Sequence, residues 1–261
     1  MRSLPLGWAT DIAVLELMGS TVDDRGDHLV VRTPANPLFH WGNSIFVTDP
    51  DAVDDAARWV ATFEAAVPEA DWLAIGLTRM PTDVAAWTRH GMELELDDVL
   101  ATATMPRQAS LPDGYVVHPL VTGEDWEQFV QRDVALNDET DQHERESHER
   151  FARARALAYR EMSERGQALF VGAFFEDRLV AELGIVKCGE AARYQTVATD
   201  PSHRGRGICS HLLGAAAAWA GEWDARQWVI VTGATNPAGR VYRRAGFELA
   251  EPIVTAYRSP E

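Results

Sequence analysis

The sequence predicts an α/β protein built as two related domains in tandem, on three observations. Short apolar runs with the look of strands alternate with stretches of helical periodicity along the chain. In the second half three such runs follow one another with only short turns between them, a hairpin succession. An ordered set of local matches then recurs about 150 residues apart. Thr48-Asp49-Pro50 follows the apolar run Ser44-Ile45-Phe46-Val47, and Thr199-Asp200-Pro201 follows Gln195-Thr196-Val197-Ala198. Trp72-Leu73-Ala74-Ile75 matches Trp228-Val229-Ile230-Val231, and Trp87 to Glu93 matches Tyr242 to Glu248. The common order of strand, Thr-Asp-Pro, helix, strand, helix, Gly-apolar-Glu is the signature of a duplicated unit.

The Pro- and Gly-containing stretch Pro106 to Gly114 is the natural seam. The expected division is therefore residues 1–107, a linker at 108–114, and 115–261. In the second half, Tyr115 to Leu120 reads as a strand. A helix follows from about Glu124, with Trp126, Phe129 and Val130 at helical spacing, and then a charged helix from about His143 to Arg165. Ala168 to Phe175, Leu179 to Lys187 and Arg193 to Thr199 read as strands, with Glu176-Asp177 as the first hairpin turn. A helix from Gly207 to Gly221, a strand from Gln227 to Thr232, a short helix from Pro237 to Ala245 and a strand from Ile253 to Tyr257 complete the half.

Composition narrows the function. The 261 residues are 46% hydrophobic and 25% charged, an ordinary globular balance. Two cysteines, Cys188 and Cys209, are too few for a disulfide framework, and no C-x-x-C or H-E-x-x-H motif suggests a metal. A reducing, cytoplasmic setting is expected. Met1 to Gly7 lacks the apolar stretch of a signal peptide, and no run has the length to span a bilayer. Forty acidic against 24 basic residues give a net charge of −16, which repels phosphate backbones and anionic lipid. Neither nucleic acid nor membrane is an expected partner.

The run from Val197 to Ser210 joins a strand to a helix through a turn spaced by glycines. Free amides at a helix N-terminus point toward a ligand, the helix dipole favours negative charge, and Gly205 and Gly207 let backbone approach a phosphate closely. Arg204 and Arg206 add positive charge. A Walker loop would need a lysine that is absent, and the dinucleotide fingerprint would need a third glycine where Ser210 stands.

This segment resembles the GNAT superfamily of acyl-CoA-dependent N-acyltransferases, over about Tyr115 to Tyr257. Arg204, Gly207 and Cys209 occupy the three places of that family's Arg/Gln-x-x-Gly-x-Gly/Ala signature, with Cys209 where a smaller residue is usual. Asn236 to Phe247 resembles its second signature, an Asn and small residues leading to Tyr and Gly-Phe, with Asn236 one position nearer Tyr242 than is common. The resemblance implies a mixed, mostly antiparallel central sheet flanked by helices, and acetyl-CoA as cosubstrate with no metal. The strand ending at Thr199 would bulge and splay from the strand beginning near Gln227, with pantetheine in the opening. The cosubstrate would meet Val197, Ala198 and Thr199 on that strand, the turn Arg204, Gly205, Arg206, Gly207, Ile208, Cys209 and Ser210, and Asn236.

By the same resemblance, Tyr242 stands where the family places the acid for the departing thiolate; alternatively it packs beside the Gly246-Phe247 turn. A base must also accept the amine's proton. Glu182 is the first candidate, with Glu190 and Tyr194 behind it, although a strand glutamate can equally face solvent. Asp133 to Glu149 holds seven acids against one arginine, an expected negative rim for a cationic amine or else a solvated helix face. His143 and His148 within it lack the enclosure a metal site needs.

In the first half the corresponding turn reads Asp51-Ala52-Val53-Asp54-Asp55, which would repel a pyrophosphate, and Trp87 replaces the tyrosine. That half reads as a degenerate GNAT-like domain, and the chain as a monomeric pseudo-dimer. The function expected is transfer of an acetyl group from acetyl-CoA to an amine of a small molecule or peptide. The alternative is an acyl-CoA-binding sensor or regulatory subunit without turnover.

Overall fold

The computed structural model describes residues 4–140 and 143–260. In chain order the elements are α1 (Leu6–Leu17), β1 (Thr21–Asp24), β2 (His28–Arg32), β3 (Ser44–Val47), α2 (Ala56–Ala66), β4 (Leu73–Leu77), α3 (Val84–Thr88) and β5 (Glu93–Thr102). There follow β6 (Tyr115–Pro119), α4 (Gly123–Thr140), α5 (Arg145–Glu164), β7 (Ala168–Phe175), β8 (Arg178–Cys188) and β9 (Ala191–Thr199). The chain ends with α6 (Ile208–Gly221), β10 (Gln227–Gly233), α7 (Ala238–Ala245) and β11 (Glu248–Arg258). Each Thr-Asp-Pro triplet leads into a one-turn 3-10 helix, Pro50–Ala52 in the first copy and Pro201–His203 in the second. Gly91 and Gly246, both with positive φ, close the turns after α3 and α7. The repeat is thus built from the same succession of elements twice.

Two compact units result. The first comprises the chain up to Val99, Val231–Asn236 and the segment from Leu249; the second comprises Leu100–Ile230 and Pro237–Glu248. The division differs from the expected one in two places. Residues 100–114 fold with the second unit, because Leu100 lies in its core and the Arg107 N–H donates to the Ala245 carbonyl at 2.9 Å. The C-terminal strand belongs to the first unit, because β11 pairs antiparallel with β4, Val254 opposite Leu77 through Arg258 opposite Leu73. Residues 115–261 are therefore not one body in the expected sense. β11 also begins earlier than Ile253, and α1, β1 and β2 carry no assignment from the sequence.

In the first unit β1–β2 and β2–β3 are antiparallel and β3–β4 parallel. Its core gathers Ile45, Ile75, Leu77, Trp59, Phe63 and Trp87. Helix α2 contributes Ala56, Trp59, Val60 and Phe63 at the 3-4-7 spacing of one buried face.

In the second unit β6–β7, β7–β8 and β8–β9 are antiparallel and β9–β10 parallel, the mixed and mostly antiparallel sheet expected. Glu176 and Asp177, at φ 50° and 62°, make the tight turn of the β7–β8 hairpin, matching the right-handed twist of its strands. Helices cover this sheet on both faces. Leu183 and Ile185 of β8 lie in the cluster with Leu212, Leu213 and Ala216 of α6. Gly184 lies against Phe170, whose ring meets Trp126 of α4 and Tyr159 of α5. Strand β8 therefore reads as a near-continuous apolar run. Helix α4 starts on a reciprocal cap: the Asp125 carboxylate accepts from the Val121 and Thr122 N–H groups at 3.0 and 2.8 Å, and Thr122 Oγ1 accepts from the Asp125 N–H at 3.1 Å.

Candidate active site

Strand β9 opens the site. Glu182 pairs with Ala198 and Gly184 with Gln195, so β9 carries one residue more than β8 across that step, a β-bulge. Thr196 takes up the extra residue at φ 46°, in the left-handed region that a β-branched side chain adopts only under strain. Pairing of β9 with β10 runs from Ala191–Gln227 to Arg193–Val229. Beyond Arg193 the register with β10 ends while β9 continues to Thr199, which is the bulged and splayed strand of the expectation.

The turn after β9 supplies the second element. Gly205 and Gly207 have φ of 73° and 85°, and a Cβ built on either meets nothing within 4 Å. The glycines answer to backbone conformation, not to crowding. Gly207 is the N-cap of α6 and no side chain caps that end. Helix α6 thus presents uncapped N-terminal amides beside the turn. Arg204 Nε donates to the Thr199 carbonyl at 3.0 Å, and Arg206 donates to Tyr115 Oη at 3.2 Å and to the Ser202 carbonyl at 3.1 Å. The structure brings Val197, Ala198, Thr199 and the run Arg204 to Ser210 together in the second unit. Asn236 is exposed, closes a turn through its N–H to the Gly233 carbonyl at 2.8 Å, and belongs to the first unit.

The corresponding end of α2 is already occupied by the protein itself. Asp55 caps it, accepting from the Arg58 N–H at 3.2 Å, and Asp49 caps the preceding 3-10 turn. Asp54 takes Arg79 at 2.8 Å and the Thr82 N–H, and the Arg79 hydrogen bond holds its carboxyl at about 2. A carboxylate supplied by the chain stands where an external anion would bind.

Tyr242 on α7 is 5% exposed, and its hydroxyl carries no hydrogen bond among the described residues. Burial, helped by the nearby Cys209 sulfur, pushes its ionisation upward. Burial also raises the Cys209 thiol to about 11, so it stays protonated and inert near neutral pH. Tyr194 is excluded as a base because its hydroxyl donates to the Leu213 carbonyl at 2.7 Å and burial pushes its pKa up.

Glu182 does not face solvent: it is 6% exposed, and Oε2 accepts from Arg132 Nε at 2.6 Å. Arg132 reaches from α4 to bond Asp200 as well, tying helix, strand and turn together. Burial pushes the Glu182 carboxyl up to about 7 against the opposing pull of Arg132, while burial of Arg132 is outweighed by its two carboxylates, so its pKa is raised. Oε1 carries no hydrogen bond among the described residues. Glu190 pairs at 3.4 Å with Arg226 on an exposed turn.

The acidic stretch is partly neutralised. Asp133 takes Arg155 at 2.8 Å and His148 at 3.1 Å, Glu149 takes Arg153, Asp138 takes Arg145, and Glu144 caps α5. The negative rim is weaker than a residue count implies. Asp141, one of its acids, lies outside the described residues. Among the described residues, no group of three His, Cys, Asp or Glu is placed to hold a metal, and no helix is long and apolar enough to cross a membrane. Sequence reading gave Arg132, Asp200 and Tyr115 no role in the site; the one signal available was Arg132 as the sole basic residue on an acidic α4.

A mixed sheet with a bulge in β9, followed by a glycine turn and a helix whose N-terminus no side chain caps, makes the second unit an α/β domain. Residues 131–247 match the acetyltransferase (GNAT) family, so the stretch holding the bulge, the turn and Tyr242 is a GNAT domain. Solved structures share the fold over both halves. A GCN5-related N-acetyltransferase from Kribbella flavida is 18% identical, with 98% of each chain covered and a TM-score of 0.64. A conserved protein of unknown function from Staphylococcus epidermidis is 11% identical, covering 94% of this chain and 96% of that one, at 0.65. A tandem GNAT protein from the clavulanic acid biosynthesis pathway is 15% identical, covering 100% and 90%, at 0.57. No curated protein matches the sequence.

Proposed function

We propose that the second half binds acetyl-CoA and transfers its acetyl group to an amine of a small molecule or peptide. The observation that carries this reading is the strand β9 bulge at Thr196, with pairing to β10 lost beyond Arg193, directly before a glycine turn and an uncapped helix. Pantetheine amides would bond the main chain of Val197 and Thr199. The pyrophosphate would rest on the amides from Arg204 to Ser210.

The amine nitrogen forms a bond to the thioester carbonyl carbon, the carbon–sulfur bond breaks, the amine loses one proton and the sulfur gains one. Positioning and donors aimed at the developing oxyanion lower the barrier. Tyr242, kept as a neutral phenol by burial, donates its hydrogen bond to the departing sulfur. A phenol is a weaker acid than an ordinary thiol, so a proton given by Tyr242 to the sulfur is replaced, by way of the base, with the proton the amine has lost. Glu182, near neutral in its ionisation, is the candidate acceptor of that proton through Oε1.

Calorimetry with acetyl-CoA tests the reading. Loss of one charge-assisted hydrogen bond costs about 1.5–3 kcal/mol, so Arg206→Ala is expected to weaken binding roughly ten- to hundredfold with the fold intact. Unchanged affinity in that variant, or no binding by the wild type, removes the reading. The same titration is expected to give one equivalent per chain, because Asp55 already caps the matching helix of the first half; two equivalents would mean that the first half also binds.

One observation favours the second reading, an acyl-CoA-binding protein without turnover: the best-placed base is held in an ion pair with Arg132. Saturable acetyl-CoA binding with no thiol release from any amine would establish it.

A further inference from the structure

Arg204 and Arg206 lie in a chain with an excess of acidic groups, yet neither has a carboxylate partner among the described residues. Both are held by neutral acceptors: the Thr199 carbonyl for Arg204, and Tyr115 Oη with the Ser202 carbonyl for Arg206. The nearest acid of the segment, Asp200, is taken by Arg132. The turn therefore holds two guanidiniums in place without spending their charge.

Tyr115 is what fixes Arg206. It sits on β6, 91 residues away in sequence, 7% exposed and packed against Phe175 and His203 at ring separations of 5.1 and 5.7 Å. Because the guanidinium can only donate, Tyr115 Oη accepts from Arg206. The same hydroxyl is hydrogen-bonded to His203 Nδ1 at 2.7 Å. Arg206, Tyr115 and His203 thus form one hydrogen-bonded chain that ties the turn to β6. An unanchored arginine loses rotamer freedom on ligating an anion; Arg206 is already held by Tyr115 Oη and the Ser202 carbonyl.

We propose that Tyr115 is a positioning residue for the phosphate site: it pre-sets Arg206 to meet a phosphoryl oxygen of the cosubstrate, so that a hydroxyl on β6 is part of CoA recognition. The proposal rests on the acetyl-CoA reading above. Removing only the hydroxyl leaves the ring packing in place, so Tyr115→Phe is the variant of choice. The lost bond orients Arg206 without touching the ligand, so Tyr115→Phe is expected to cost less than Arg206→Ala and to weaken CoA binding roughly two- to tenfold by calorimetry, with kcat unchanged and the loss confined to KM. In an Arg206→Ala background the same substitution is expected to have no further effect. A structural role would act equally in both backgrounds. Wild-type protein that binds no CoA removes the acetyl-CoA reading and the proposal together. Wild-type binding with no loss in Tyr115→Phe, or with an equal loss in the Arg206→Ala background, overturns the proposal alone.

Discussion

Tyr242→Phe is expected to lower turnover by about 10²- to 10⁴-fold, the usual contribution of a proton-transfer group, while changing CoA affinity far less. The ring is 5% exposed and phenylalanine preserves its packing, so the variant should fold and melt like the wild type. What is lost is a hydroxyl with no protein partner among the described residues, whose proton is available to a leaving sulfur. An interaction made only as the sulfur departs lowers kcat and kcat/KM together. Measurement needs an acceptor, so polyamines, aminoglycosides, amino acids and peptides with free N-termini would be screened by thiol release. If Tyr242→Phe turns over at the wild-type rate on the amine that reacts, the tyrosine is structural and water or another group protonates the thiolate.

The second large effect is on stability. Arg132→Ala leaves Glu182 buried without its cation, and breaking a buried ion pair from one side costs about 3–5 kcal/mol. The penalty has a definite pH dependence. The Glu182 carboxyl is raised from its ordinary value to about 7 in the folded protein. Folding therefore takes up a proton between those two values, and the stability this contributes is fully present below the unfolded pKa and is lost as pH rises through the folded one. Without Arg132 the neutral acid is favoured further, so the deficit should be largest near pH 8 and shrink toward pH 5, where a protonated Glu182 needs no cation. Urea unfolding of both proteins at the two pH values measures this. A deficit that is the same at both would mean that packing of the arginine stem, not its charge, carries the effect.

Local rules made much of the second unit legible. Strand β7 spans Ala168–Phe175, as apolar content and the Glu176-Asp177 turn predict, because both signals act within a few residues. The first unit was harder. Strand β1 is four residues with two aspartates, and α1 is apolar with little amphipathic pattern, so neither has a local signature. In the first-half turn, repulsion of phosphate was the reading from composition. The structure adds a more specific reason, since Asp55 caps α2 directly.

The sequence by itself determined the duplicated order of elements, the glycine turn, and the alignment of Tyr242 and Trp87 at matching places in the two copies. Each is set by spacing along the chain, through backbone conformation at Gly205 and Gly207 or through helical and strand periodicity. The tertiary structure alone decided which groups are paired. Arg132 meets Glu182 across 50 residues and Asp200 across 68, Arg206 meets Tyr115 across 91, and β11 leaves the half that precedes it to pair with β4. Those contacts decide whether a carboxylate is a free base or half of an ion pair, and whether a guanidinium is loose or anchored. They depend on burial and on pairing partners brought together only when the sheets form, and no local pattern in the chain encodes them.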